Sequence, residues 1–265
     1  DLELMLPCLP RSRDFGPYGA PGRAEHVRHW GTAALCPSHP EPIPDPPRLG
    51  TLGGFWETTA DENIRQALDA ALEKLSAAGA TLVPLETEVD FSRVRPMHWR
   101  IMSVEAAAVH RDDYAKRPEA YGPLLSQFLD QGLAISAVDY AAALTELRDF
   151  QRRVVGLFDA VDAVVVPSTH TTAPATLTTL TGTSEFQAPW SAAGVPVVSV
   201  PCGLAGDGLP AAVQLVGRYH SERSLLALGR WCETVFAFDN VPPIARAGQG
   251  GCHAQPQRRR TMESA

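Results

Sequence analysis

The stretch FQAPWSAAGVPVVSVPCGLAGDGLPAAVQLVGR, residues 186–218, is the most patterned part of this chain. It parses as a short helix around Pro189–Ala193, a strand VPVVSVP (195–201), a turn at Gly206-Asp207-Gly208 and a second strand PAAVQLVG (210–217). The Asp-Gly pair supplies the positive φ values that a tight turn needs. The segment nevertheless carries no evident acid, base or nucleophile, so any chemistry it serves depends on groups elsewhere.

Upstream lies DAVVVP (162–167), a short all-apolar strand of the kind buried on both faces. A Thr-rich loop, STHTTAPATLTTLTGTSE (168–185), joins the two. Three helices precede it, over Met97–Lys116, Gly122–Gln131 and Ser136–Phe158. Ser136 caps the last, whose Tyr140, Leu144, Leu147 and Val154 keep helical spacing. Before these, Leu49–Leu52 suits a strand, TADENIRQALDAALEKLSAAGA (59–80) a helix and TLVPLE (81–86) another strand. Thr59 and Glu62 have the spacing of a capping box, Ile64, Leu68, Ala71, Leu72 and Leu75 form the apolar face, and Gly79 terminates the helix. Such a βαβ unit implies a parallel sheet with helices on its faces. Downstream, SERSLLALGRWCETVFAF (221–238) reads as a closing helix capped by Ser221.

The ends have a different texture. DLELMLPCL reads as the last turns of an amphipathic helix, giving a first segment at 1–10. Residues 11–47 are rich in Pro, Arg, His and Gly without sustained period, an irregular or disordered insert. The ordered region then spans 48–239, and 240–265 reads as a disordered tail.

The chain has 265 residues and a net charge of -7, which disfavours nucleic acid as a partner. The only lysines are Lys74, opposite the apolar stripe of its helix, and Lys116, in a charged helix end; both read as solvated. The cysteines at 8, 36, 202, 232 and 252 are odd in number and widely spaced, which suits reduced thiols in the cytoplasm. No apolar run has membrane length. His26-x-x-His29 with Cys36-x-x-His39 has a zinc-like spacing, but it lies in the Pro- and Arg-rich insert without flanking apolar anchors, so no metal is assigned. Cys202 at a strand end, with His170 or His220 as base, reads as a packed residue rather than a nucleophile. Ser199 has no base at fixed spacing.

The run from Phe186 through Gln-Ala-Pro-Trp-Ser-Ala-Ala-Gly-Val-Pro and on to Gly-Arg218 resembles the C-terminal part of the amidase signature family. There, a Phe, an Asn or Thr and a Pro lead into a Gly-x-Pro. A Ser-x-Pro-x-Gly strand, a Gly-Leu-Pro strand ending in Gly-Arg and a helix then follow. The upstream order RLGTLGGF, helix, GATLVPL, three helices and DAVVVPSTHTTAP is similar too, so the resemblance covers about Arg48–Phe238. It implies an α/β fold, the C-terminal part of a mixed, mostly parallel sheet flanked by helices on both faces. It also implies hydrolysis of a carboxylic amide to carboxylate and ammonia, without metal or organic cofactor. Catalysis in the family uses a Ser nucleophile, a cis-configured Ser and a Lys base, with a Gly-rich segment stabilising the oxyanion.

No Ser-Ser dipeptide and no Gly-rich Ser loop occurs in this chain. Because DLELML resembles the helix just after the family's Ser loop and residue 1 is Asp, the resemblance implies a fragment whose catalytic half precedes Asp1. The expectation is an inactive chain contributing no catalytic residue. Its pocket candidates, carried over by position, are Thr169, His170, Thr171, Gly182, Thr183, Phe186, Gln187 and Trp190. Gln187 stands where the family usually has Asn or Thr, and Trp190 either walls an apolar pocket or packs under the sheet. The tRNA-linked branch of the family, glutamyl-tRNA amidotransferase, grips glutamine with charged groups. The matching places here, Leu125–Phe128 and Ser184, lack charge, which points to a less polar amide. A small-molecule amide is the implied partner, with a homodimer possible. The alternatives are a glutamyl-tRNA amidotransferase-like protein and a non-catalytic scaffold that keeps the half-fold.

Overall fold

The all-apolar run Ala163–Pro167 is the central strand, every residue buried. The computed structural model describes residues 43–174 and 182–241. The helix end at 1–10, nearly all of the insert, its His/Cys motif and the tail beyond 241 lie outside the described residues. Strand β1 (Arg48–Thr51) leads through a single helical turn, α1 (Phe55–Thr59), into α2 (Glu62–Ala77) and β2 (Thr81–Pro84). Helices α3 (Val94–Lys116), α4 (Pro123–Ala134) and α5 (Ala137–Val155) follow, then the central strand β3 (Ala163–Pro167). After the Thr-rich loop come α6 (Ala188–Ala193), the hairpin β4 (Val197–Leu204) and β5 (Pro210–Val216), and α7 (Glu222–Phe236).

The five strands form one mixed sheet in the order β2-β1-β3-β5-β4. β1 pairs in parallel with β2 and β3, whereas β5 runs antiparallel to β3 and β4. The β1-to-β2 and β2-to-β3 crossovers run in opposite directions along the sheet, so their common right hand sends α2 to one face and α3–α5 to the other. Packing agrees: α2 and α7 sit together on β4 and β5, while α3 packs against α4, α5 and α6. The register puts Val166, Gln214 and Ser199 on one face and Val165, Leu215 and Val198 on the other. On β4, Val200 and Cys202 are buried, but Val197, Ser199 and Pro201 on the opposite face are exposed. Among the described residues β4 is therefore an edge strand with one covered and one open face.

The apolar face of α2 is as the spacing requires, with Ile64, Ala71 and Leu75 buried and Leu68 and Leu72 packed against the core. Its cap differs. Residues 55–59 wind into α1, Ala60 is extended, and Asp61 accepts the Ile64 amide at 2.9 Å, so Thr59 is not the cap. Ser136 does cap α5, accepting the Asp139 amide at 3.1 Å. Ser221 occupies the N-cap position of α7, but its hydroxyl donates back to Arg218 O at 2.7 Å. Within the hairpin's turn, Gly206–Gly208, only Gly208 has a positive φ, 81°. The Gly208 amide bonds Ala205 O at 2.9 Å, a three-residue loop closed by a left-handed residue rather than a two-residue turn.

Where α3, α5 and α6 pack together lies an aromatic cluster. Trp56 and Trp190 stack at 5.5 Å with an interplanar angle of 3°, and Phe186 sits 4.8 Å from Trp56. Phe55, Phe91 and Phe150 extend it toward α5. Neither indole N–H has a partner among the described residues. α3 and α4 touch more closely than ordinary helices do, because Gly132 presents no side chain to the backbone of Ser103.

Candidate functional site

The chain leaves the sheet at Pro167, and the loop that follows is tied down in sequence. The Ser168 amide donates to Ala212 O at 2.9 Å, and the Ser168 and Ser199 hydroxyls are 2.8 Å apart. His170 O accepts the amide of Asp61, 2.8 Å away, which joins this loop to the start of α2. The Thr169 hydroxyl donates to Thr171 O at 2.8 Å. The segment that re-enters α6 is tied to the same place. Gln187 Nε2 donates to Ser168 O, and Gln214 Nε2 donates to Pro167 O at 3.0 Å and Phe186 O at 3.1 Å.

The sequence-derived candidates therefore converge. His170 Nδ1 lies 3.3 Å from Thr183 Oγ1, and its ring stands edge-on to Phe186 at 6.2 Å. Thr183 gives its single hydroxyl proton to Glu185, 3.2 Å away. Thr169, Thr171, Gly182 and Thr183 are exposed, and His170 and Gln187 are half-buried. Phe186 and Trp190 are each 1% exposed, so they support this surface from behind. Since a carbonyl only accepts, the Gln187 NH2 faces Ser168 O and its Oε1 is left as an acceptor. Gln214 was not nominated from the sequence, although the Gln of the family's Gly-Leu-Pro strand and its place as a polar residue in an otherwise apolar strand both signalled it.

No Ser–Lys pair forms among the described groups. The Cys202 thiol is buried and points at Ala211 O, 3.5 Å away. Burial pushes its pKa up, only partly offset by Lys74. Ser199 meets another hydroxyl, and the Thr183 hydroxyl is shared between the Glu185 carboxylate and the His170 ring. Lys74 is exposed and donates to Cys202 O at 3.4 Å; Lys116 is exposed. Two grooves, of about 660 and 410 Å³, lie elsewhere, between α3 and α4 and between α3 and α5. The 168–187 constellation is thus an open wall. Among the described residues no cluster of three or more His, Cys, Asp or Glu could hold a metal, and no helix is long and apolar enough to cross a membrane.

A second buried thiol, Cys232 on α7, has its pKa pushed up to about 12 by burial and by Glu233. The folded value lies above the unfolded one, so this group's contribution is intact below pH 9 and is lost as pH rises toward 12. We expect stability to fall by about 1.4 kcal/mol per pH unit across that window, and Cys232→Ala to flatten the slope. Urea midpoints measured from pH 8 to 11 check this.

A family model described as Amidase matches residues 36–226. A putative amidase from Mycobacterium tuberculosis is 32% identical over 154 residues, covering 54% of this chain and 32% of that protein. An amidase from Pseudomonas putida is 28% identical over 194 residues, covering 69% and 41%. A crystal structure of an amidase superposes with a TM-score of 0.68 at 27% identity, covering 77% of this chain and 49% of that one. Glutamyl-tRNA(Gln) amidotransferases are among the relatives too, one from Thermosynechococcus vestitus being 29% identical over 246 residues. The chain spans at most about half the length of these relatives. With the family model matched across most of its length, and the fold of a solved amidase shared, the chain belongs to the amidase family.

Proposed function

We propose that residues 48–239 form the C-terminal portion of an amide hydrolase, converting R–CO–NH2 and water to carboxylate and ammonia. In this reading Thr169, His170, Thr171, Gly182, Thr183 and Gln187 form one wall of the acyl pocket, backed by Phe186 and Trp190. The Ser nucleophile and Lys base come from polypeptide other than these 265 residues. The observation that carries it is the convergence of residues 168–171 and 182–187 at the carboxyl end of β3, where open α/β sheets bind ligands, with polar groups exposed and no Ser–Lys pair among them. The apolar backing and the lack of charge at Ser184 favour an uncharged, apolar acyl group over glutamine.

The test uses ammonia release. The purified 265-residue chain is expected to leave benzamide, acetamide and glutamine intact. Fused behind the N-terminal part of the Mycobacterium tuberculosis relative, it is expected to release ammonia from benzamide faster than from glutamine. Turnover by the chain alone would sink the division of labour. A folded fusion without turnover would favour a non-catalytic scaffold, and glutamine as the better substrate would favour the amidotransferase-like reading.

A further inference from the structure

β5 carries one buried polar side chain, Gln214, at 4% exposure. Its carboxamide nitrogen serves two carbonyls, Pro167 O at 3.0 Å and Phe186 O at 3.1 Å. Pro167 ends β3, and Phe186 stands just before α6. Thr169–Thr171 and Gly182–Thr183 lie between them in the chain. A second carboxamide, Gln187, serves the next carbonyl, Ser168 O. Two successive carbonyls at the exit from the sheet are therefore held by glutamine side chains where strand partners run out. A buried carbonyl left unpaired there would cost more than an ordinary hydrogen bond contributes, so the pairing determines where the chain turns.

We propose that Gln214 is a positioning residue of the candidate site, acting through Pro167 and Phe186 to set the spacing of the two segments, 168–171 and 182–187, that carry it. The proposal rests on the amidase reading for its functional meaning, but its geometry stands on these bonds alone. Gln214 itself is buried, and its carboxamide meets the backbone of Pro167 and Phe186. One amide group bonded to both ends of the loop makes the strand exit and the α6 entry move as a unit, and with them Gln187 and the His170–Thr183 pair.

Hydrogen–deuterium exchange on the 265-residue chain tests it. Gln214→Leu removes both donors at nearly constant size. The amides of Ser168, Gln187 and Ala188 are expected to exchange at least about 10-fold faster, while amides in α3 and α5 keep their wild-type rates. Gln214→Glu adds a pH readout. Its protonated carboxyl can donate one hydrogen bond and its carboxylate none, so protection of the same three amides, corrected for intrinsic rates, falls as the carboxyl ionises. A residue that merely stabilised the fold would instead speed exchange throughout the chain. That uniform rise, or unchanged protection at the three amides in both variants, overturns the proposal. No turnover is needed, so a failure to hydrolyse amides would count against the amidase reading only.

Discussion

Gly132→Ala is expected to cost about 3 kcal/mol, although alanine is the better helix former by about 1 kcal/mol. An added Cβ at this position in α4 would lie 2.0 Å from Ser103 O and 2.4 Å from Ser103 C. These are backbone atoms of α3, so no side-chain rotation relieves the contact. The helices must separate, and Leu129, fully buried in the same seam, loses its packing with them. The Tyr114–Asp130 and Trp99–Gln131 hydrogen bonds, 3.1 and 3.2 Å across the pair, report the change. A urea midpoint at or above wild type would mean that α3 and α4 do not approach this closely.

Trp190→Ala is expected to cost about 4 kcal/mol, in the range for removing a large buried aromatic. The loss includes the stacked Trp56 contact at 5.5 Å and the support of Phe91 at 5.6 Å. Trp190→Phe separates two contributions. It leaves a smaller void and removes an indole N–H that has no partner among the described residues, so it should cost less than about 2 kcal/mol. Thermal melts followed by far-ultraviolet circular dichroism, which follows the backbone and not the deleted indole, measure both. Equal losses in the two variants would show that the indole N–H, not the ring volume, is what the cluster needs.

The parts of the fold legible in the sequence were those set by local pattern. The apolar run at 163–167, the 3.6-residue stripe on α2 and the Ser136 cap each depend on neighbours within a turn or a strand. The misread cap at Thr59 shows the limit: Asp61 was an equally good cap, and the choice was decided by α1, whose Trp56 is drawn into the aromatic cluster. The site divides in the same way. Motif position was enough to nominate His170, Thr183 and Gln187, but the bonds that assemble them span long separations, such as Gln214 to Pro167 and Asp61 to His170. Gly132 was unreadable for a related reason, because a glycine inside a helix has meaning only through the helix that faces it.

The edge strand has a consequence for self-association. The Gly217 amide bonds Pro196 O at 3.0 Å, which marks that pair as hydrogen-bonded. By alternation Val198 and Val200 direct their main-chain groups at β5, while Val197, Ser199 and Pro201 direct theirs into open space. Pro201 has no N–H to offer, and the register shifts between it and Gly203. An incoming strand therefore finds full donor–acceptor pairs only at Val197 and Ser199 before the template fails. Runaway strand addition is blocked at Pro201, while the exposed side chains of the same strand remain free to meet a partner face to face.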